Sequence, residues 1–199
     1  MPEVVVFCED SFHERFITAL LTRMRAERQS QFEFRCLTST GGLARVGSEF
    51  REFLRDLARG RRNTPGAIIV LADANCKGAQ ARRDDLFPAS SPYAQFRGIT
   101  IVGVPDPHIE RWMMIDSSAF NQVFGMGCTL PRLKCNRDEY KRMLARQIRA
   151  AAGFRPSLGG VEYAEDVVNA MSLEQAAQTE PSFGRLYRDL RALVMRLSP

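Results

Sequence analysis

Histidine and tryptophan are scarce in this chain: its 199 residues include two histidines and one tryptophan. The five cysteines (Cys8, Cys36, Cys76, Cys128, Cys135) form no C-x-x-C pair. With so few imidazoles to complete a ligand set, a zinc site is not expected. An odd cysteine count in a chain without an export signal suggests reduced thiols. Cys8 and Cys36 lie in apolar runs and read as core residues, and Cys76 has no evident base partner to make it a nucleophile. Also missing is any apolar run near the ~20 residues that a membrane-spanning helix needs. The first residues, Met-Pro-Glu-Val-Val-Val, lack the basic and long apolar parts of a signal peptide. A cytoplasmic location with no membrane contact is the resulting expectation. Neither G-x-G-x-x-G nor a P-loop occurs, which argues against the common nucleotide-binding modules. There is no internal repeat, low-complexity tract or clear linker.

Apolar residues make up 45% and charged residues 26%, ordinary values for a soluble globular chain long enough for one well-buried domain. The formal charge is +5, and much of the basic excess is arginine. Its planar fork binds oxyanions in pairs, so nucleic acid is admitted as a partner. Solvated helix faces account for the same arginines.

Residues 67 to 78, Ala-Ile-Ile-Val-Leu-Ala-Asp-Ala-Asn-Cys-Lys-Gly, organise the rest. An unbroken apolar run suits a strand buried on both faces, the central place in a parallel sheet. Side chains at the carboxyl end of such a strand project into the crevice where open α/β sheets bind ligands. Asp73 and Asn75 are two apart, so both can face one side of that end and seat a hard cation such as Mg²⁺. Both residue types also simply shape strand-to-helix turns.

The same pattern recurs along the chain. Residues 3 to 8 read as a strand ending at Glu9, and Ser11-Phe12-His13-Glu14 as a capping box. The following helix, to about Arg28, places Phe12, Phe16, Leu20 and Met24 on one face. With Ser11 as the cap, Glu9 is left free for another role. A second strand at 32 to 37 leads into Gly41-Gly42, a loop whose amides could approach an anion, or a plain turn. A helix over about 47 to 59 ends in Arg59-Gly60-Arg61-Arg62, basic residues that suit either a helix carboxyl end or a phosphate backbone. A short helix at 79 to 86 and a strand at 99 to 104 precede Pro105-Asp106-Pro107, where Asp106 reads as an N-cap with Pro107 at the first helical position. That spacing puts Asp106 and Glu110 near one another. Beyond residue 120 the pattern is helical: a start at Asn136, a helix near 161 to 177, and a last helix near 182 to 197.

Strands alternating with helices four times over indicate an α/β fold with a mostly parallel central sheet flanked by helices. Acidic residues recur where strands end: Glu9, Asp73, Asp106 and Glu110. Gathered by a parallel sheet, they would repel one another unless a cation neutralised them.

Strand-Glu9-helix followed by strand-Asp73-x-Asn75 resembles the topoisomerase–primase (Toprim) pattern of a glutamate after the first strand and a later Asp-x-Asp. The segment Pro107-His108-Ile109-Glu110-Arg111-Trp112 resembles the Glu-x-Trp element of small Toprim-like families, including RloB-like and other stand-alone proteins of prokaryotic defence loci. The likeness covers roughly the first 120 residues. It implies a Rossmann-like Toprim core over 1–120, with a helical extension over 121–199 packed on it. It also implies phosphodiester cleavage of DNA or RNA with Mg²⁺ (or Mn²⁺), as a defence effector. By that resemblance Glu9, Asp73, Asn75, Asp106 and Glu110 supply metal ligands. Glu9, Asp73 and Glu110 form the catalytic acids, and Lys77 neutralises developing charge. His13 is the further phosphate contact considered, with a surface histidine as the plainer reading. Asn75 departs from the pattern by removing one charge. The competing expectation is a non-catalytic regulatory subunit with a degenerate site, holding nucleic acid or a partner ATPase. A homo-oligomer fits either.

Overall fold

The computed structural model of the chain describes residues 1–132 and 137–197. Four strands, β1 (Glu3–Cys8), β2 (Glu33–Thr38), β3 (Ala67–Leu71) and β4 (Thr100–Gly103), pair in the order β2-β1-β3-β4, all parallel. Helices α1 (Ser11–Arg28), α2 (Gly42–Ala58) and α3 (Ala79–Leu86) connect them. This is the α/β architecture that the alternation indicated. In β1 and β3, the central strands, the apolar runs are buried on both faces. Val4, Val6, Cys8, Ile69 and Leu71 turn to the side covered by α1, while Val5, Phe7, Ile68 and Val70 turn to the side covered by α2. Each such side chain contributes about 1.5–3 kcal/mol.

Two helix starts differ from expectation. Asp10, one residue before Ser11, is the N-cap of α1: its carboxylate accepts from the amides of Phe12 at 2.9 Å and His13 at 3.1 Å. Asp10 is extended and directly precedes the helix, so Ser11 becomes its first residue, and Glu14 accepts the Thr38 hydroxyl instead. Helix α2 starts at Gly42, about a turn earlier than the apolar pattern suggested, because only its later turns face the sheet.

The carboxyl-terminal part comprises α4 (Ser117–Phe124), α5 (Arg137–Ala152), α6 (Ala164–Ala170), α7 (Leu173–Thr179) and α8 (Pro181–Arg196). The expected start at Asn136 lies outside the described residues; within α5, Tyr140, Leu144 and Ile148 are buried. The single helix expected near 161 to 177 is broken at Met171–Ser172. There the Asp116 carboxylate takes the Ser172 amide at 2.8 Å, and the Arg23 guanidinium takes the carbonyls of Val168 and Met171, both at 2.6 Å. Side chains thus satisfy the backbone groups that the break exposes. Helix α8 buries Phe183, Leu186, Tyr187, Leu190 and Val194. It rests on β4 at Gly103, where a Cβ would stand 2.6 Å from Leu71 Cδ1 and 3.0 Å from Leu186 Cδ1. One continuous apolar cluster joins α5, α6 and α8 to α1 and the sheet. Among the described residues, no helix is long and apolar enough to cross a membrane.

Candidate metal centre

From β1 the chain crosses to β2 on one side, then returns to β3 on the other. The carboxyl ends of β1 and β3 therefore flank the sheet's topological switch point, the place where open α/β sheets bind ligands. Glu9 follows β1 directly and Asp73 follows β3 by two residues. The Glu9 amide continues the ladder to Leu71 O at 3.1 Å, and Glu9 Oε2 accepts the Asp73 amide at 2.8 Å. The segment after β4 runs beside residues 72–75: Ala74 N donates to Pro105 O at 2.8 Å and Asn75 N to Pro107 O at 3.2 Å. This brings His108, Ile109 and Glu110 against Asp73, whose Oδ1 accepts the Ile109 amide at 2.9 Å.

Both histidines of the chain join these acids. His13, fully buried in the first turn of α1, faces Asp10 Oδ1 with Nδ1 at 2.7 Å and Asp73 Oδ1 with Nε2 at 3.0 Å. His108 Nδ1 lies 2.9 Å from Asp73 Oδ2, while its Nε2 is buried with no hydrogen-bond partner among the described residues. Two groups of potential ligands result, Glu9–His13–Asp73 and Asp73–His108–Glu110, each with its ligand atoms within 4.8 Å of one another. Asp73 belongs to both. Glu9, Asp73 and Glu110 are 7%, 8% and 2% exposed, so their charges stand largely out of water.

That crowding shows in the protonation equilibria. Burial and the neighbouring Asp73 charge raise Glu9 above the usual carboxylate range and push Glu110 up to about 7. Burial would raise Asp73 as well, but His13 and His108 outweigh it and hold Asp73 low. Burial alone would lower His13; the Asp73 charge and hydrogen bonds to Asp10 and Asp73 overcome it, and His13 rises to about 10. Asp10 is held low because its bonds to His13 outweigh burial. Protons on His13 and Glu110 thus supply the neutralisation that a cation would otherwise provide. Carboxylate oxygens suit hard divalent ions, and the imidazoles add ligands that transition ions favour. The donor set fits a bound divalent ion.

Three of the expected site residues, Glu9, Asp73 and Glu110, come together; the others do not join them as foreseen. Lys77 is exposed and pairs with Asp85 at 2.6 Å, because the turn after β3 carries it toward α3. Asp106 accepts the Ala79 amide at 3.1 Å and so serves the start of α3. It does not cap a helix at Pro107: a 3-10 turn begins only at Ile109. Asn75 was paired with Asp73 on strand periodicity, but β3 ends at Leu71 and Asn75 has a φ of +46°, so that periodicity does not reach it. His13 is buried rather than on the surface. Cys8, Cys36 and Cys128 are free, whereas Cys76 is disulfide-bonded, contrary to the expectation of reduced thiols throughout.

His108 and Asp10 were not among the expected site residues, and Lys141 of α5 stands with its Nζ 4.0 Å from Glu110 Oε1. A usable signal existed: the two histidines each lie within four residues of a candidate acid. The Glu-x-Trp element also has a structural explanation. Arg111 Nε donates to Glu180 Oε2 at 2.7 Å, and a terminal nitrogen of Arg111 donates to Pro131 O. Trp112 Nε1 donates to Ser182 Oγ at 3.0 Å, and that hydroxyl donates to Glu180 Oε1 at 2.9 Å. The indole packs between Phe16 and Phe183, with ring centroids 5.5 and 5.4 Å away. The two residues after Glu110 are thereby fastened to the start of α8, which holds Glu110 beside Asp73. No protein-family model, curated protein or solved structure gives a significant match to this chain.

Proposed function

We propose that the chain is a divalent-metal-dependent phosphodiesterase of Toprim-like type that cleaves DNA or RNA, acting as an effector in a prokaryotic defence system. The observation that carries this reading is the meeting of Glu9, Asp73 and Glu110 at the switch point of a parallel sheet. A bound Mg²⁺ or Mn²⁺ would polarise the phosphodiester and lower the pKa of a bound water. Asp73 would hold such an ion together with Glu9 or with Glu110, each of which shares a group of potential ligands with it. Helix α2 opens beside this cluster without a side-chain cap, and a Cβ on Gly42 would lie 4.0 Å from Glu9 Oε1. Its free amides and dipole favour a phosphate group there. Lys141, from α5, brings an ammonium to within 4.0 Å of Glu110 Oε1.

The test is cleavage of plasmid DNA and of RNA with Mg²⁺ or Mn²⁺, comparing the wild type with Glu9→Ala and Asp73→Ala after both variants are shown to fold. Cleavage should require the metal and fall by a hundredfold or more in either variant. Activity without metal, or activity indifferent to both substitutions, overturns the proposal.

A second reading is favoured by one observation: Asp73 already accepts from His13, His108 and the Ile109 amide. A polar cluster satisfied in this way also serves a non-catalytic regulatory subunit that binds nucleic acid or a partner ATPase. A stable partner on pull-down, with biological function retained in the Glu9→Ala/Asp73→Ala double variant, would select this second reading.

A further inference from the structure

We infer that His13 and His108 are themselves metal ligands, so that the centre holds two transition-metal ions bridged by Asp73: one with Glu9 and His13, the other with Glu110 and His108. This rests on the metal-dependent reading above and specifies which ions it uses and how many.

The first support is the division of Asp73. Its Oδ1 faces His13 Nε2 at 3.0 Å and its Oδ2 faces His108 Nδ1 at 2.9 Å. A carboxylate whose two oxygens address different nitrogens has the arrangement of a bridge between two ions, which in two-metal sites stand about 3.5–4 Å apart. The second support is the spacing. Ligand atoms about 2.1 Å from one ion and at right angles to each other lie about 3.0 Å apart. The observed separations therefore match two ligand atoms on one ion, which would sit beside the N···O line of the present hydrogen bond and needs each ring to turn slightly toward it.

The third support lies outside the acids. Asp10 accepts at His13 Nδ1, which fixes the ring so that Nε2 is the nitrogen presented to Asp73. A carboxylate behind a histidine in this way orients metal ligands in many centres and raises their basicity. Asp10 has side-chain exposure of 46%, so water reaches this supporting carboxylate while the ligand itself is sealed in. His108 lacks a support of this kind: its buried ring turns Nδ1 to Asp73, and its Nε2 has no hydrogen-bond partner among the described residues, so its ion is the less firmly oriented of the two.

Nitrogen ligands carry a consequence for the choice of ion. Mg²⁺ prefers oxygen ligands and retains its waters, whereas imidazole suits first-row transition ions. One histidine and one glutamate per ion, with a shared aspartate, therefore select Mn²⁺-class ions over Mg²⁺.

The experiment measures Mn²⁺ and Mg²⁺ binding by equilibrium dialysis and records pulsed EPR of the Mn²⁺-loaded full chain. The comparison set is wild type, His13→Gln, His108→Gln, Asp10→Asn and Asp73→Asn, each checked for folding by circular dichroism. The expected result is two Mn²⁺ per chain, magnetically coupled, with ¹⁴N coupling from imidazole and tenfold or more preference over Mg²⁺. Each histidine variant should lose one ion, and Asp10→Asn should weaken one about tenfold. The wild-type EPR spectrum decides the matter even where a histidine variant fails to fold. An ion bound without ¹⁴N coupling, yet lost in Asp73→Asn, overturns this inference and leaves the phosphodiesterase reading standing. Metal binding unchanged in Asp73→Asn overturns both.

Discussion

Replacing Glu110 with glutamine should stabilise the metal-free protein, and by an amount that depends on pH. Glu110 is 2% exposed, and burial together with the Asp73 charge moves its carboxyl from 4.5 up to about 7. A carboxyl raised in the folded state keeps a proton that the unfolded chain has already released. Wild-type stability must therefore fall as pH rises from about 4.5 to 7, then level off. At about 1.4 kcal/mol per pH unit, that window corresponds to roughly 3 kcal/mol. Glutamine has the same shape and no charge, so the variant lacks this loss. In urea unfolding with chelator present, Glu110→Gln should gain on the wild type by roughly 2–3 kcal/mol between pH 4.5 and 8. For a chain of this size the gain corresponds to roughly 4–12 °C in Tm. Adding Mn²⁺ should then narrow the gap, because an ion neutralises Glu110 in the wild type and has less to bind in the variant. A gap that stays constant with pH, or a variant less stable than wild type at pH 8, would refute the claim that Glu110 is a charge held against its own stability.

Two other substitutions probe the surroundings of the centre. Glu180→Gln leaves the Arg111 guanidinium buried without its counter-charge and should cost about 3–5 kcal/mol, whereas the double change Arg111→Met/Glu180→Leu should recover most of the loss. A double variant no more stable than either single one in urea unfolding would contradict the unpaired-charge explanation. Lys77→Ala removes only an exposed pair with Asp85 and should change stability by no more than about 0.5 kcal/mol while leaving Mn²⁺ affinity within about twofold. A tenfold drop in that affinity would return Lys77 to the site.

The fold and the acids were legible for the same reason: their signals are local. An apolar run such as Val4–Cys8 or Ala67–Leu71 announces a central strand, and an acid just past it is carried to the sheet's carboxyl edge wherever the strand lies. Glu9 and Asp73 needed no more than that, and Glu110 entered through the Glu-x-Trp likeness. What failed was periodicity extended past the end of an element. Strand alternation places Asn75, which in fact lies in a turn four residues past the end of β3, and helix periodicity places Asp106, whose helical turn the backbone delays to Ile109. The capping box puts the N-cap at Ser11, whereas Asp10 takes that place one residue earlier and also meets His13 Nδ1. Once Asp10 is the cap, His13 stands at the first turn facing Asp73. The break at Met171–Ser172 depends on Arg23 and Asp116, partners distant in sequence that no window could include.

The three consecutive residues Glu110, Arg111 and Trp112 divide their work, and that division explains how a buried group of acids can be held in place. Glu110 is repelled by the neighbouring Asp73 charge, so nothing within the pair holds the two together. The restraint comes from the next two residues, which lie in a 3-10 turn and point away from the acids. Arg111 is tied to Glu180, and Trp112 is tied to Ser182 while packing against Phe16 and Phe183. Phe16 belongs to the same helix that carries His13, and Phe183 and Ser182 belong to α8. The aromatic contact therefore links α1, the Glu110 segment and α8 into one rigid frame. Repulsion among the carboxylates is opposed by apolar burial and a paired guanidinium on the far side of the turn, not by contacts inside the centre. An ion entering the cluster would meet ligands already held in position by residues that never touch it.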